Sequence, residues 1–158
     1  MATAEELDRA AHEIVESSFS VHRTFGPGCY EEMYVHCLSY ELRKRGLTFH
    51  QKVPLSLRYE DLVVPRAYEA DFIVVPGVLI EVKAVERTAG VHLRQVSTYL
   101  RITGLPLGLL VNFGAETLKE GVRRVVNNFP VGTASYMVGN AVVLSSDAAS
   151  AALPPAEC

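Results

Sequence analysis

Apolar positions recur at spacings of three and four from Ala4 to about Val21 (Leu7, Ala10, Ala11, Ile14, Val15, Ser18), which predicts a helix with one buried stripe. Phe25-Gly26-Pro27-Gly28 ends it. A second helix is expected from just after Gly28 to Arg45, with Tyr34, Val35, Leu38 and Leu42 as its stripe, cations in its last turn and Gly46 beyond it. From Lys52 to Ala84 the period changes to two. Interruptions at Tyr59-Glu60-Asp61 and Pro76-Gly77 divide this stretch into a three-strand antiparallel meander. Residues 91–103 return to helical spacing through Leu93, Val96 and Leu100, and Leu107 to Phe113 is an apolar run of strand length. A strand, a helix and a strand imply a right-handed crossover, so the last strand should lie parallel to 78–85. Leu118 to Val126 fits an edge strand or a short helix. Tyr136 to Leu144 reads as a hairpin around Gly139-Asn140, and residues 145–158 as an Ala/Ser/Pro-rich mobile tail. The fold class is α/β: a mixed sheet, antiparallel meander plus one parallel strand, flanked by helices. Residues 1–129 form the domain and 130–158 an extension; no internal repeat is present.

A chain of 158 residues with 49 % hydrophobic and 21 % charged residues has the composition of one globular domain, not of a disordered, collagen-like or coiled-coil chain. No apolar run approaches the ~18 residues of a membrane span. The first eighteen residues carry Glu5, Glu6, Asp8, Glu13 and Glu16 where a secretion signal would be basic and then apolar, so a cytoplasmic protein is expected. Three cysteines without Cys-x-x-Cys spacing point to reduced thiols and away from a structural zinc site. The net charge of −3 excludes a global attraction for nucleic acid, although residues 51–129 are slightly basic through Lys52, Arg58, Arg66, Lys83, Arg87, Arg94, Arg101, Lys119, Arg123 and Arg124. The five histidines lack ligand spacing, and neither a nucleophile elbow nor a glycine-rich phosphate loop is present.

Charged residues in apolar strands carry the candidate chemistry. In Val78 to Val85, period two puts Val78, Ile80, Val82 and Ala84 on a pure core face, and Leu79, Glu81, Lys83 and Val85 on the other. Asp71 stands in a similarly apolar strand. A three-residue Val75-Pro76-Gly77 loop, built as a type I turn with Gly77 left-handed, brings Asp71 opposite Glu81; a two-residue loop would bring Val82 there instead. The longer loop is expected. Two carboxylates and a lysine suit a divalent-metal site, and patterning alone equally allows a surface ion pair of Glu81 and Lys83 with Asp71 solvated. Glu31 heads the stripe of the second helix and should point along the face that packs on the sheet, although an acid in a first turn is also favoured by the helix dipole. Gln95 and Tyr99 share a face of the third helix beside its apolar stripe, which by itself describes an ordinary helix flank. Arg94 and Arg101 lie on the neighbouring side; Arg101 reads as solvated, while Arg94 is left open between solvent and a phosphate contact.

Taken in order, Gly28-x-x-Glu31-x-x-Tyr34, Asp71, Glu81-x-Lys83 and Gln95-x-x-x-Tyr99 resemble the PD-(D/E)XK nuclease superfamily, and specifically its small prokaryotic branch of GxxExxY proteins. The resemblance covers roughly residues 8 to 126. It departs at Ala70, where the pattern has a Pro that is not a ligand, and finds no counterpart after Phe129. It implies a restriction-endonuclease-like core and a nuclease using Mg²⁺, with Mn²⁺ as a substitute. Asp71 and Glu81 are then metal ligands, Lys83 the catalytic lysine and Glu31 an accessory acid at the metal. Gln95 and Tyr99 would help to organise the site and the nucleic-acid strand, and Arg94 beside them is a candidate substrate contact by its position on the helix. The implied partner is nucleic acid, DNA in the first instance, with a homodimer or protein partner to supply basic surface and no membrane. The other reading is a non-catalytic adaptor on the same fold, which has no need to hold two carboxylates together against their repulsion.

Overall fold

The computed structural model of the chain describes residues 1–130 and the backbone of Val142–Leu144. Helix α1 (Ala4–Phe25) starts with a capping box: Glu6 N–H donates to Thr3 Oγ1 at 3.2 Å, and Thr3 N–H donates to Glu6 Oε2 at 2.8 Å. Gly26, at φ 61°, ends it. Helix α2 (Glu31–Lys44) begins three residues after Gly28, because Cys29 and Tyr30 remain outside it and Tyr30 is its N-cap. The two helices lie together on one face of the sheet. There Leu7, Ile14, Leu38 and Leu42 pack with Phe72, Val78, Ile80 and Val82 in the larger core.

The meander forms as expected from β1 (Phe49–Tyr59), β2 (Leu62–Val74) and β3 (Val78–Lys83), with β1 starting earlier than the sequence pattern indicated. Helix α3 (Gly90–Thr103) then crosses over to β4 (Leu107–Asn112), which pairs parallel with β3 in the register Glu81↔Leu110 and Lys83↔Asn112. Gly108 permits the contact between α3 and β4: a Cβ there would lie 2.7 Å from Val96 Cγ1. The ambiguous stretch after β4 is both things in turn, a four-residue helix α4 (Leu118–Gly121) and an antiparallel strand β5 (Val122–Asn127). Strand β6 (Val142–Leu144) pairs parallel with β5, giving a sheet of order β1-β2-β3-β4-β5-β6. The remainder of the expected hairpin at 136–144 and the tail at 145–158 lie outside the described residues. None of the described helices is long and apolar enough to cross a membrane.

Two cores result. Leu79, Leu55, Ala70, Val96, Tyr99, Leu100 and Leu110 form the smaller one, beneath α3. A buried ion pair ties the first helix to strand β5, since Arg124 Nη2 on β5 donates to Asp8 Oδ1 on α1 at 2.6 Å and both side chains are almost fully covered. The Arg124 guanidinium also lies over the Phe129 ring, 4.8 Å from its centroid.

Candidate active site

The β2–β3 connection has the expected three residues and therefore the expected register. Val74↔Val78, Ile73↔Leu79 and Phe72↔Ile80 pair, and the next step of the ladder sets Asp71 opposite Glu81. The turn differs from the type I form: the Val75–Pro76 peptide is cis and Gly77 has φ 150°. Pairing stops at Phe72↔Ile80, and Asp71 supplies a substitute for the next ladder bond because its Oδ2 accepts the Val82 N–H at 2.8 Å. Both carboxylates are buried, Asp71 at 8 % and Glu81 at 5 % exposure, which disposes of a solvated Asp71.

Period two places Glu81 and Lys83 on the α3 face of β3. Lys83 Nζ lies 3.3 Å from Glu81 Oε1, while Glu81 Oε2 is buried with no hydrogen-bond partner. Burial, followed by repulsion from Asp71, pushes the Glu81 pKa up to about 7, against the pull of Lys83; Glu31 adds a weaker upward push. An orphaned carboxylate oxygen beside a second carboxylate is costly without a cation to meet it. The donor set, all carboxylate oxygen, suits a hard divalent ion such as Mg²⁺, which is typically held by one or two protein carboxylates together with water. The residues present therefore fit such an ion.

Glu31 requires a correction. It was expected to point along the packed face of α2, but it is exposed, because as the first residue of the helix it stands at the rim before the helix crosses onto the sheet. Among the described residues no three His, Cys, Asp or Glu side chains form a cluster that could hold a metal. Asp71 and Glu81 are thus a pair, with Glu31 acting on Glu81 from a distance. The neighbouring Gly28 and Tyr34 are structural. Tyr34 Oη donates to Gly26 O and accepts from Cys29 N–H, closing the loop before α2, and its ring stacks on Phe113 at 4.6 Å. The loop is accordingly a turn that fixes the start of α2.

On α3, Gln95 Nε2 donates to Tyr99 Oη at 2.7 Å. Tyr99 is 3 % exposed and lies against Tyr68 of β2, so it is a wall of the site rather than a helix flank. Burial raises its phenol pKa, the Gln95 bond opposes this, and the nearby charges of Glu81 and Asp71 raise it further. Arg94 and Arg101 are both exposed.

Sequence reasoning missed two residues here. Lys52 Nζ lies 3.3 Å from Asp71 Oδ1 and 3.4 Å from Glu32 Oε2, and burial, which lowers its pKa, is outweighed by those two carboxylates, so the net shift is upward. Asn112, fully buried at the end of β4, holds the chain that leaves β3: its Oδ1 accepts from Val85 N–H and Gly114 N–H, both at 3.0 Å, and its Nδ2 donates to Val85 O at 2.8 Å. The register Lys83↔Asn112 could have suggested it, since an Asn ending an apolar strand needs partners. A cavity of about 550 Å³ opens beside the loop after β3; Arg87, Arg123, Glu86, Glu116 and Glu120 are among its lining residues, and the Asp71–Glu81 pair is not.

No curated protein and no solved structure matches the chain. The profile of the PD-(D/E)XK nuclease superfamily matches residues 8–125, a span that holds both carboxylates, Lys83, the Gln95–Tyr99 pair and strands β1 to β4 of the mixed sheet, which has the restriction-endonuclease-like arrangement. The chain belongs to the PD-(D/E)XK nuclease superfamily.

Proposed function

We propose that the chain is a Mg²⁺-dependent phosphodiesterase of the GxxExxY branch, cleaving nucleic acid, with DNA as the first candidate. The observation that carries the reading is the buried, unpartnered Oε2 of Glu81 beside Asp71 and within the reach of Lys83. A divalent ion bound to the two carboxylates would supply positive charge to a phosphoryl group and lower the pKa of water. Asp71 would hold it through Oδ1, because Oδ2 already accepts from Val82 N–H. Lys83, anchored on Glu81, is placed to stabilise negative charge that develops on the phosphate or to orient the attacking water. Glu31, at the rim, serves as an accessory acid that reaches the site through water. Gln95 fixes the Tyr99 phenol as a wall for the strand, and exposed Arg94 is a phosphate contact.

Purified protein incubated with labelled DNA and RNA, single- and double-stranded, in Mg²⁺, Mn²⁺ or EDTA, tests this. Cleavage should require the ion, and Lys83→Ala should reduce it by on the order of a hundredfold or more. Equal cleavage by wild type and Lys83→Ala identifies a contaminant. Binding without cleavage in any ion favours an adaptor.

A further inference from the structure

The two carboxylates of the site each have a lysine of their own, and the two lysines differ. Lys83 stands on the same strand face as Glu81. Lys52 comes from the opposite side, on edge strand β1, and bridges Asp71 to Glu32 on α2. Its backbone is held at φ 53°, a left-handed conformation that a non-glycine residue keeps only where the surroundings impose it. The ladder is interrupted at the same point: Gln51↔Phe72 and Val53↔Ala70 pair on either side, while Lys52 and Asp71 between them do not. Lys52 is also the more accessible of the two lysines, its side chain 37 % exposed against 17 % for Lys83, so it can withdraw into solvent while Lys83 stays in place.

Asp71 Oδ2 is committed to Val82 N–H, and Oδ1, the oxygen left for an ion, is the one that faces Lys52. We propose that Lys52 is the resident cation of the Asp71–Glu81 site, which neutralises Asp71 in the ion-free protein and competes with a divalent ion for Oδ1. The inference rests on the metal reading above and adds to it a residue that sets the ion affinity. An ion that takes Oδ1 must displace the ammonium, and Glu32 gives the released lysine a place to go.

Calorimetric titration of Mn²⁺ into the full chain, without nucleic acid and at fixed ionic strength, tests it. Lys52→Met should bind Mn²⁺ more tightly, on the order of tenfold, because the competing charge is gone. Lys52→Asn, which tolerates φ 53° better than Met, should show the same gain if Lys52→Met folds poorly. Lys52→Arg, which keeps the charge, and Lys44→Met, which removes an exposed lysine paired with Glu41, should stay within about twofold of wild type. Binding by Lys52→Met or Lys52→Asn that is equal to or weaker than that of wild type overturns the role of Lys52 alone, provided wild type binds and Asp71→Asn does not. Absence of Mn²⁺ binding in wild type and Lys52 variants alike overturns the ion site and this inference together.

Discussion

Lys83 neutralises one oxygen of Glu81 from 3.3 Å and leaves the other buried without a partner. A single ion pair is therefore insufficient to keep Glu81 comfortably charged, and its pKa rises to about 7 against an ordinary value of 4.5. Between those pH values the native state binds a proton that the unfolded chain has released. Stability from this group is present below about 4.5 and is lost as pH rises through about 7, on the order of 3 kcal/mol in all. Urea melts in chelator should show ion-free wild type falling across that window. Glu81→Gln should flatten the fall and be the more stable protein at pH 8; an unchanged slope would mean that Glu81 is ionised throughout.

Asp71→Asn should have opposing effects that nearly cancel in the ion-free protein. It weakens the contact with Lys52 and relieves the repulsion on Glu81, while an Asn oxygen can still accept from Val82 N–H. Mg²⁺, by binding only the native state, should raise wild-type stability by about 1.4 kcal/mol at ten times its dissociation constant and do much less for the variant. Thermal melts with and without Mg²⁺ read both effects. A wild type indifferent to Mg²⁺ and Mn²⁺, beside a destabilised Asp71→Asn, would refute the pairing of these carboxylates around an ion.

Much of this site was legible because it depends on local rules. Period two assigned Glu81 and Lys83 to one face, and a three-residue loop set Asp71 opposite Glu81. Lys52 was not legible, for a specific reason. Counting back along an unbroken hairpin from Tyr59↔Leu62 places His50 opposite Asp71. The ladder instead shifts between Leu55 and Leu57, where Pro65 and Arg66, the latter at φ 53°, interrupt β2. That irregularity moves the register by two residues and brings Lys52 to the carboxylate. Glu31 was misplaced because a helical stripe says nothing about where the helix first meets the sheet. The Asp8–Arg124 pair was missed because it joins elements 116 residues apart, with no local pattern to announce it.

That pair should behave as a buried one. Asp8→Ala strands the Arg124 guanidinium in a covered position and should cost about 3–5 kcal/mol, whereas Asp8→Leu with Arg124→Met should recover much of the loss. Denaturant midpoints of the three proteins decide it. A loss below ~1 kcal/mol for Asp8→Ala would place the pair among ordinary surface bridges such as Arg9–Glu5.

Nucleic-acid binding should depend on salt only moderately. Of the basic residues in the slightly basic central stretch, Lys52, Lys83 and Arg124 already face carboxylates. Arg123 donates to the backbone carbonyls of Glu120 and Val122, and it shares its cavity with Glu86, Glu116 and Glu120. Arg58, Arg66, Arg87, Arg94, Arg101 and Lys119 are exposed, and of these Arg94, on the helix that carries Gln95 and Tyr99, is the one assigned to phosphate. Each neutralised phosphate contributes about 0.7–0.9 to the slope of log K against log salt, so a slope of roughly −2 to −4 is expected, and Arg94→Gln should reduce its magnitude by about one. Binding titrations at several salt concentrations, with Ca²⁺ in place of Mg²⁺, give the slope. A value near −10 would require a basic surface that one copy of the described residues does not display, and would point to a dimer or a partner protein as its source.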